Sequence, residues 1–185
     1  MKEIPKSYSP EEILEERLKK IYRGRARMRI IAQVLVLAAV VCAAFLWILG
    51  IARVEGDSMA PTLQEEELLL FYRLDREYLP GDMVLFERDG YEETVKRVVA
   101  TAGDVVDIDA EKGILLINEK PVEESYVYAE TLPTSEKVTF PLEVEEGQVF
   151  VLGDNREASG DSRDFGCVQV SDITGRVLWW IGKMF

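Results

Sequence analysis

Histidine is absent from all 185 residues of this chain. That removes the most common general base of hydrolases and the most common ligand of transition metals. Cysteine is nearly absent too. Cys42 lies inside an apolar run and Cys167 far beyond it, so neither an intrachain disulfide nor a thiolate metal site is expected. Carboxylates are plentiful, but no loop has EF-hand spacing, and the chain reads as needing no metal and no cofactor. Positive charge is in deficit, with 22 Lys and Arg against 34 Asp and Glu, net −12. Nucleic acid needs a basic footprint, so it is excluded as a partner class.

What the chain does have is one long uncharged run. "IIAQVLVLAAVVCAAFLWILGI", Ile30 to Ile51, carries Gln33 as its single strongly polar side chain. About 20 such residues cross the hydrocarbon core of a bilayer as a helix. A buried core helix would need a shell of partners that so short a chain can hardly supply. Lys19, Lys20, Arg23, Arg25, Arg27 and Arg29 crowd its N-terminal side and point to a cytoplasmic N-terminus. A cleaved signal peptide would have a shorter apolar core nearer the start, followed by a small-residue cleavage site. The expectation is therefore a cytoplasmic tail over 1–29, a single-pass signal-anchor over 30–51, and an extracytoplasmic domain over 52–185. Charge divides at the same place. The tail holds nine Lys and Arg against five Asp and Glu, and the remainder 13 against 29. In the tail, "SPEEILEERLKKIYR" reads as a helix with Ser9 as N-cap, Pro10 at the first position and Glu12 after it. Ile13, Leu14, Leu18 and Ile21 form an apolar stripe that suits either a bilayer surface or a plain soluble helix.

Beyond the run the texture is β. "ELLLFYRL", "GDMVLFER", "ETVKRVVATAG", "DVVDID", "GILLINEKPV", "EKVTFPLEV", "QVFVLGD" and "GRVLWWIGKMF" are short apolar runs separated by turn residues. This predicts a mainly β, antiparallel, barrel-like or sandwich domain, with 104–146 as a protruding β-ribbon.

Three stretches carry chemistry. In "GDSMAPTL", Ser58 sits in a glycine-led turn seven residues after Ile51, at most about 25 Å along the chain from the membrane exit. Taken alone, such a serine is usually just a turn. In "TVKRVVATAGD", Lys96 and Arg97 interrupt a valine-rich strand, where alternation sends them to opposite faces. Both stems could simply snorkel along an exposed strand. If one of them is a base it is Lys96, since arginine does not give up its proton in a protein. "VLGDNREASGDSRDFG" is a loop of short polar residues that could satisfy its own turns or orient an amine.

Together these stretches resemble the type I signal peptidases, membrane-bound serine peptidases that remove signal peptides from exported proteins. "SMAPTL" resembles the nucleophile box, "GDMV" the short box after it, "KRVVATAGD" the lysine box and "GDNREASGDSRDFG" the last box. They run in family order from Gly56 to Gly166 behind a membrane anchor. The resemblance, to the compact Gram-positive members in particular, implies a Ser–Lys dyad. Ser58 is then the nucleophile, Lys96 the general base and Ser159 a hydroxyl that hydrogen-bonds the lysine amine. Asp161 and Arg163 match a structural ion pair near the site. It further implies exported preproteins as substrates, cleavage after small residues at −3 and −1, and work at the outer face of the cell membrane. The oligomeric state stays open. Ala100 and Ala102 replace a glycine and a proline of the usual lysine box, and Gly56 stands where some relatives have an oxyanion-stabilising serine. Alternatives are a specialised peptidase for a pilus or secretion system, and a catalytically silent membrane-anchored assembly factor of the same fold. A self-cleaving repressor shares the chemistry but needs no membrane span.

Overall fold

A computed structural model of the chain describes residues 10–88 and 91–182. Ser9, the expected N-cap, lies outside them. Helix α1, Pro10–Ile48, is one continuous element of 39 residues. Tail and apolar run therefore share a single helix, since nothing between Arg17 and Ile30 breaks it except the tolerated Gly24. Its apolar part, Lys19–Ile48, has a most apolar window of mean hydropathy 2.6, none of it buried against protein. Leu35, Leu37, Phe45 and Leu46 are all exposed, and a helix apolar all round with no protein cover suits a lipid environment.

The helix stops at Ile48, three residues before the apolar run does. Leu49–Arg53 instead forms strand β1, paired antiparallel with β2, Leu68–Tyr72. Gly50 explains the switch. It lies against the Phe71 ring so closely that any Cβ there would collide with it, which suits a glycine in a strand. The Arg73 N–H donates to the Ile48 carbonyl at 3.0 Å and takes up one helix-terminal acceptor.

The remaining strands are β3 (Met83–Arg88), β4 (Tyr91–Thr101), β5 (Val105–Asp109), β6 (Ile114–Ile117), β7 (Lys120–Pro121), β8 (Leu142–Glu143), β9 (Gln148–Leu152), β10 (Val168–Gln169) and β11 (Ile173–Ile181). Five of these join β1 and β2 in one seven-stranded antiparallel sheet, in the order β1-β2-β11-β3-β4-β9-β10. That sheet is open, so the domain is mainly antiparallel β but not a closed barrel. The segment read as a protruding ribbon folds as a second sheet, β7-β6-β5-β8. It does not stand free. Val106, Ile108 and Leu115 from it share a core with Val99, Ala100, Phe150 and Leu152 of the main sheet. "EKVTFPLEV" contributes only Leu142–Glu143 to a strand, and Phe140 just before it packs edge-on against Phe150.

Strand β4 is the centre of the domain. Val95 belongs to one apolar cluster, Val98 to a second, and Val99 with Ala100 to a third. Neither alanine of the lysine box adopts positive φ, and Gly103 makes that turn at φ 87°. Its register with β3 places Val84 opposite Lys96 and Met83 opposite Arg97. "GDMV" fixes that register at its start, since Gly81 N–H donates to Val98 O and Val98 N–H to Asp82 O, both at 2.8 Å.

Candidate active site

The turn that displays Ser58 is held from three sides. Met59 and Leu63, both fully buried, seat it in the apolar cluster around Phe71. The Asn155 N–H donates to Ser58 O at 3.0 Å, and its side-chain amide to Asp57 O at 3.2 Å. Thr62 Oγ1 donates to Asp154. A hydroxyl on so anchored a turn has few positions open to it.

Strand β4 brings Lys96 to that hydroxyl, with Nζ 2.7 Å from Ser58 Oγ. Two other acceptors surround the amine, Thr94 Oγ1 and Val95 O, each at 3.2 Å. Lys96 does not snorkel; it is only 2% exposed. Burial holds its pKa well below the usual lysine value, at about 8, against the opposing pull of Asp161 and Asp154. Its neighbour Arg97 is buried as well, but as a paired charge. Its guanidinium meets both Asp154 oxygens, at 2.8 and 2.6 Å, donates to Gly81 O at 2.9 Å and lies over the Tyr126 ring. Adjacent cations on one strand thus have opposite fates, one paired and one desolvated.

The polar loop after β9 supplies the remaining supports. Asp161 caps the short helix α2, Ser162–Phe165, and forms a buried two-pronged ion pair with Arg163, at 2.8 and 2.9 Å. Asp161 also accepts from Gly153 N–H, and Arg163 donates to Arg156 O and Leu132 O. Gly153 is a close-approach glycine, because a Cβ there would come within 2.5 Å of Ser58 O.

Ser159 departs from expectation. It is buried close to Gly153, but its hydroxyl has no hydrogen-bond partner among the described residues and makes no bond to Lys96. The lysine's donors are directed to acceptors on β4 instead. Sequence reading missed Thr94, which no local motif marks, and also Asp154, which stands inside the quoted "GDNR". It missed a third group as well. Arg156, fully buried, pairs with Glu124 at 2.6 Å and donates to Thr131 Oγ1, tying the second sheet's outer loop to the site.

A family model described as "Signal peptidase, peptidase S26" matches residues 27–181. Signal peptidase I of Bacillus caldolyticus is 39% identical over 147 residues, covering 71% of this chain and 80% of that one. Signal peptidase I U of Bacillus subtilis (strain 168) is 32% identical over 176 residues, covering 85% and 93%. A solved signal peptidase I from Enterococcus faecalis V583 is 28% identical, covering 56% of this chain and 97% of that one, with a TM-score of 0.45. The class is thus that of the serine peptidases, hydrolases of the peptide bond. Within it, the chain belongs to the signal peptidase family, peptidase S26.

Proposed function

We propose that this chain is a membrane-anchored signal peptidase that removes N-terminal signal peptides from exported preproteins, with Ser58 as nucleophile and neutral Lys96 as general base. The observation that carries the reading is the 2.7 Å contact between Lys96 Nζ and Ser58 Oγ at a buried, desolvated lysine. Lys96 takes the hydroxyl proton as Ser58 Oγ bonds to the scissile carbonyl carbon, and the carbonyl π pair moves to oxygen. The Ser58 N–H, without a partner among the described residues, is free to meet that oxyanion. Collapse of the tetrahedral species breaks the C–N bond, and Lys96 returns its proton to the leaving amine. Water, deprotonated by the same amine, then releases the acyl group from Ser58.

Location follows from the anchor. With the basic flank inside, the β domain works at the outer face, where preproteins leave the bilayer. Trp179 and Trp180 are not core residues; they are 66% and 40% exposed. Trp179 and Ile51 both pair with Leu70, and Ile181 pairs with Leu68, making an exposed apolar patch across β1, β2 and β11. Ile51 is three residues past the end of α1, and the bilayer is the partner we assign to this patch. Cleavage after small residues at −3 and −1 belongs to the same reading.

The test uses the purified full chain in phospholipid vesicles and a precursor with alanine at −3 and −1. Cleavage at that junction is expected, with Ser58→Ala inactive and a bulky residue at −1 resisting. Failure of the wild-type chain to cleave, or equal cleavage by Ser58→Ala, contradicts the proposal. Failure would favour the silent assembly factor.

A further inference from the structure

A neutral lysine amine has two N–H bonds and one lone pair, and to act as a base it must aim the lone pair at the hydroxyl proton. Around Lys96 Nζ there are three neighbours in reach: Ser58 Oγ at 2.7 Å, Thr94 Oγ1 at 3.2 Å and Val95 O at 3.2 Å. A carbonyl can only accept, so Val95 O takes one N–H. If Thr94 Oγ1 takes the other, the remaining direction, the lone pair, is left for Ser58. Without that second acceptor the amine can turn and donate to Ser58 Oγ, an orientation in which it cannot accept the proton. We propose that Thr94 is a positioning residue of the dyad, its hydroxyl accepting an N–H of neutral Lys96 so that the lone pair stays on Ser58. The inference rests on the dyad reading above and deepens it.

Placement on the strand supports this role. Thr94 precedes Lys96 by two residues on β4, so strand periodicity puts both side chains on one face. Its backbone is paired with Phe86 of β3, and its β-branched side chain has few rotamers. The hydroxyl expected to do this work, Ser159 Oγ, makes no hydrogen bond among the described residues. The charges bearing on the amine come from the polar loop, as Asp161 paired with Arg163 and Asp154 paired with Arg97. Strand β3 brings Met83 to Phe86, all apolar, while β4 adds exposed Glu93 and the serine turn adds exposed Asp57. Thr94 is thus an uncharged acceptor that either form of the amine can bond, and it favours the ammonium because the charged donor makes the stronger bond.

The test follows precursor cleavage by the full chain in vesicles across pH, for wild type, Thr94→Val and Thr94→Ser. Thr94→Val should lower kcat about 2- to 13-fold with KM little changed. The inflection in kcat/KM should also move below that of wild type, since the ammonium loses an acceptor. Thr94→Ser should recover most of both effects. Wild-type kcat and an unmoved inflection in Thr94→Val, with Lys96→Arg inactive, overturn the inference and leave the dyad standing. Equal impairment in Thr94→Ser and Thr94→Val overturns it too, by placing the effect in packing. Activity retained in Lys96→Arg overturns the dyad reading and this inference with it.

Discussion

Lys96 is a cation in a place that disfavours cations, and this has a measurable cost. Its folded pKa of about 8 lies below the 10.5 of an unhindered lysine. Below about pH 8 both folded and unfolded chains hold the proton, so the burial penalty is fully present. Between about 8 and 10.5 the folded chain has released it while the unfolded chain has not, and stability rises with pH. Above that window it levels off. The whole step is worth about 3 kcal/mol. Lys96→Met, which fills similar space without charge, should therefore be inactive yet more stable than wild type at pH 7, with the gap closing above pH 10. Thermal unfolding of the full chain in detergent at several pH values measures this; equal pH dependence in the two proteins would show that Lys96 is not desolvated. Ser159 gives the opposite case. Because its hydroxyl is buried without a partner, Ser159→Ala strands no group and should change stability by less than about 1 kcal/mol. It should also slow cleavage less than Thr94→Val does, which side-by-side kinetics would establish.

At the scale of elements, the site is a strand, a turn and a loop held in register by buried ions. Gly153→Ala would push a methyl group against Ser58 O, so it should cost about 1–3 kcal/mol and move the nucleophile out of line. A drop in kcat of tenfold or more, with the denaturation midpoint lowered, is the expected pairing. The outer loop of the second sheet matters as much as the boxes. Glu124→Ala leaves Arg156 buried and uncompensated, and should destabilise the domain by about 3–5 kcal/mol. Denaturation of the full chain in detergent checks it, and a wild-type midpoint would mean the ion pair holds nothing. The boxes themselves were legible because each is local: a turn, a strand with an intruding lysine, a loop of short polar residues. Glu124 and Thr131 were not, since they meet Arg156 across 32 and 25 residues of sequence and no spacing encodes that contact. Thr94 was passed over for a different reason. On a valine-rich strand a threonine reads as an ordinary β former. The end of α1 was misplaced because hydropathy continues to Ile51, whereas the Phe71 ring and pairing with β2 decide the backbone.

At the scale of the whole molecule, the chain runs from a helix uncharged from Ile30 to its end at Ile48 into a β domain whose exposed residues include Ile51, Trp179 and Ile181. Both parts were legible in the sequence, because an uncharged apolar run and short apolar runs between turn residues are local signals. They could not reveal an open sheet with a second sheet packed on it, which depends on which strands pair. If the basic flank sets orientation, protease added to intact, wall-stripped cells should digest the β domain, and full protection of residues 53–185 would reverse the topology. The central claim is that a buried, neutral lysine does the work of the missing histidine. Its most direct test is precursor cleavage by the full chain and by Lys96→Arg, each followed across pH. The account predicts that wild-type kcat/KM rises with pH to a plateau through an inflection near 8. Lys96→Arg, which keeps a charge but cannot accept a proton, should show no cleavage at any pH. Cleavage by Lys96→Arg at a substantial fraction of the wild-type rate would contradict it.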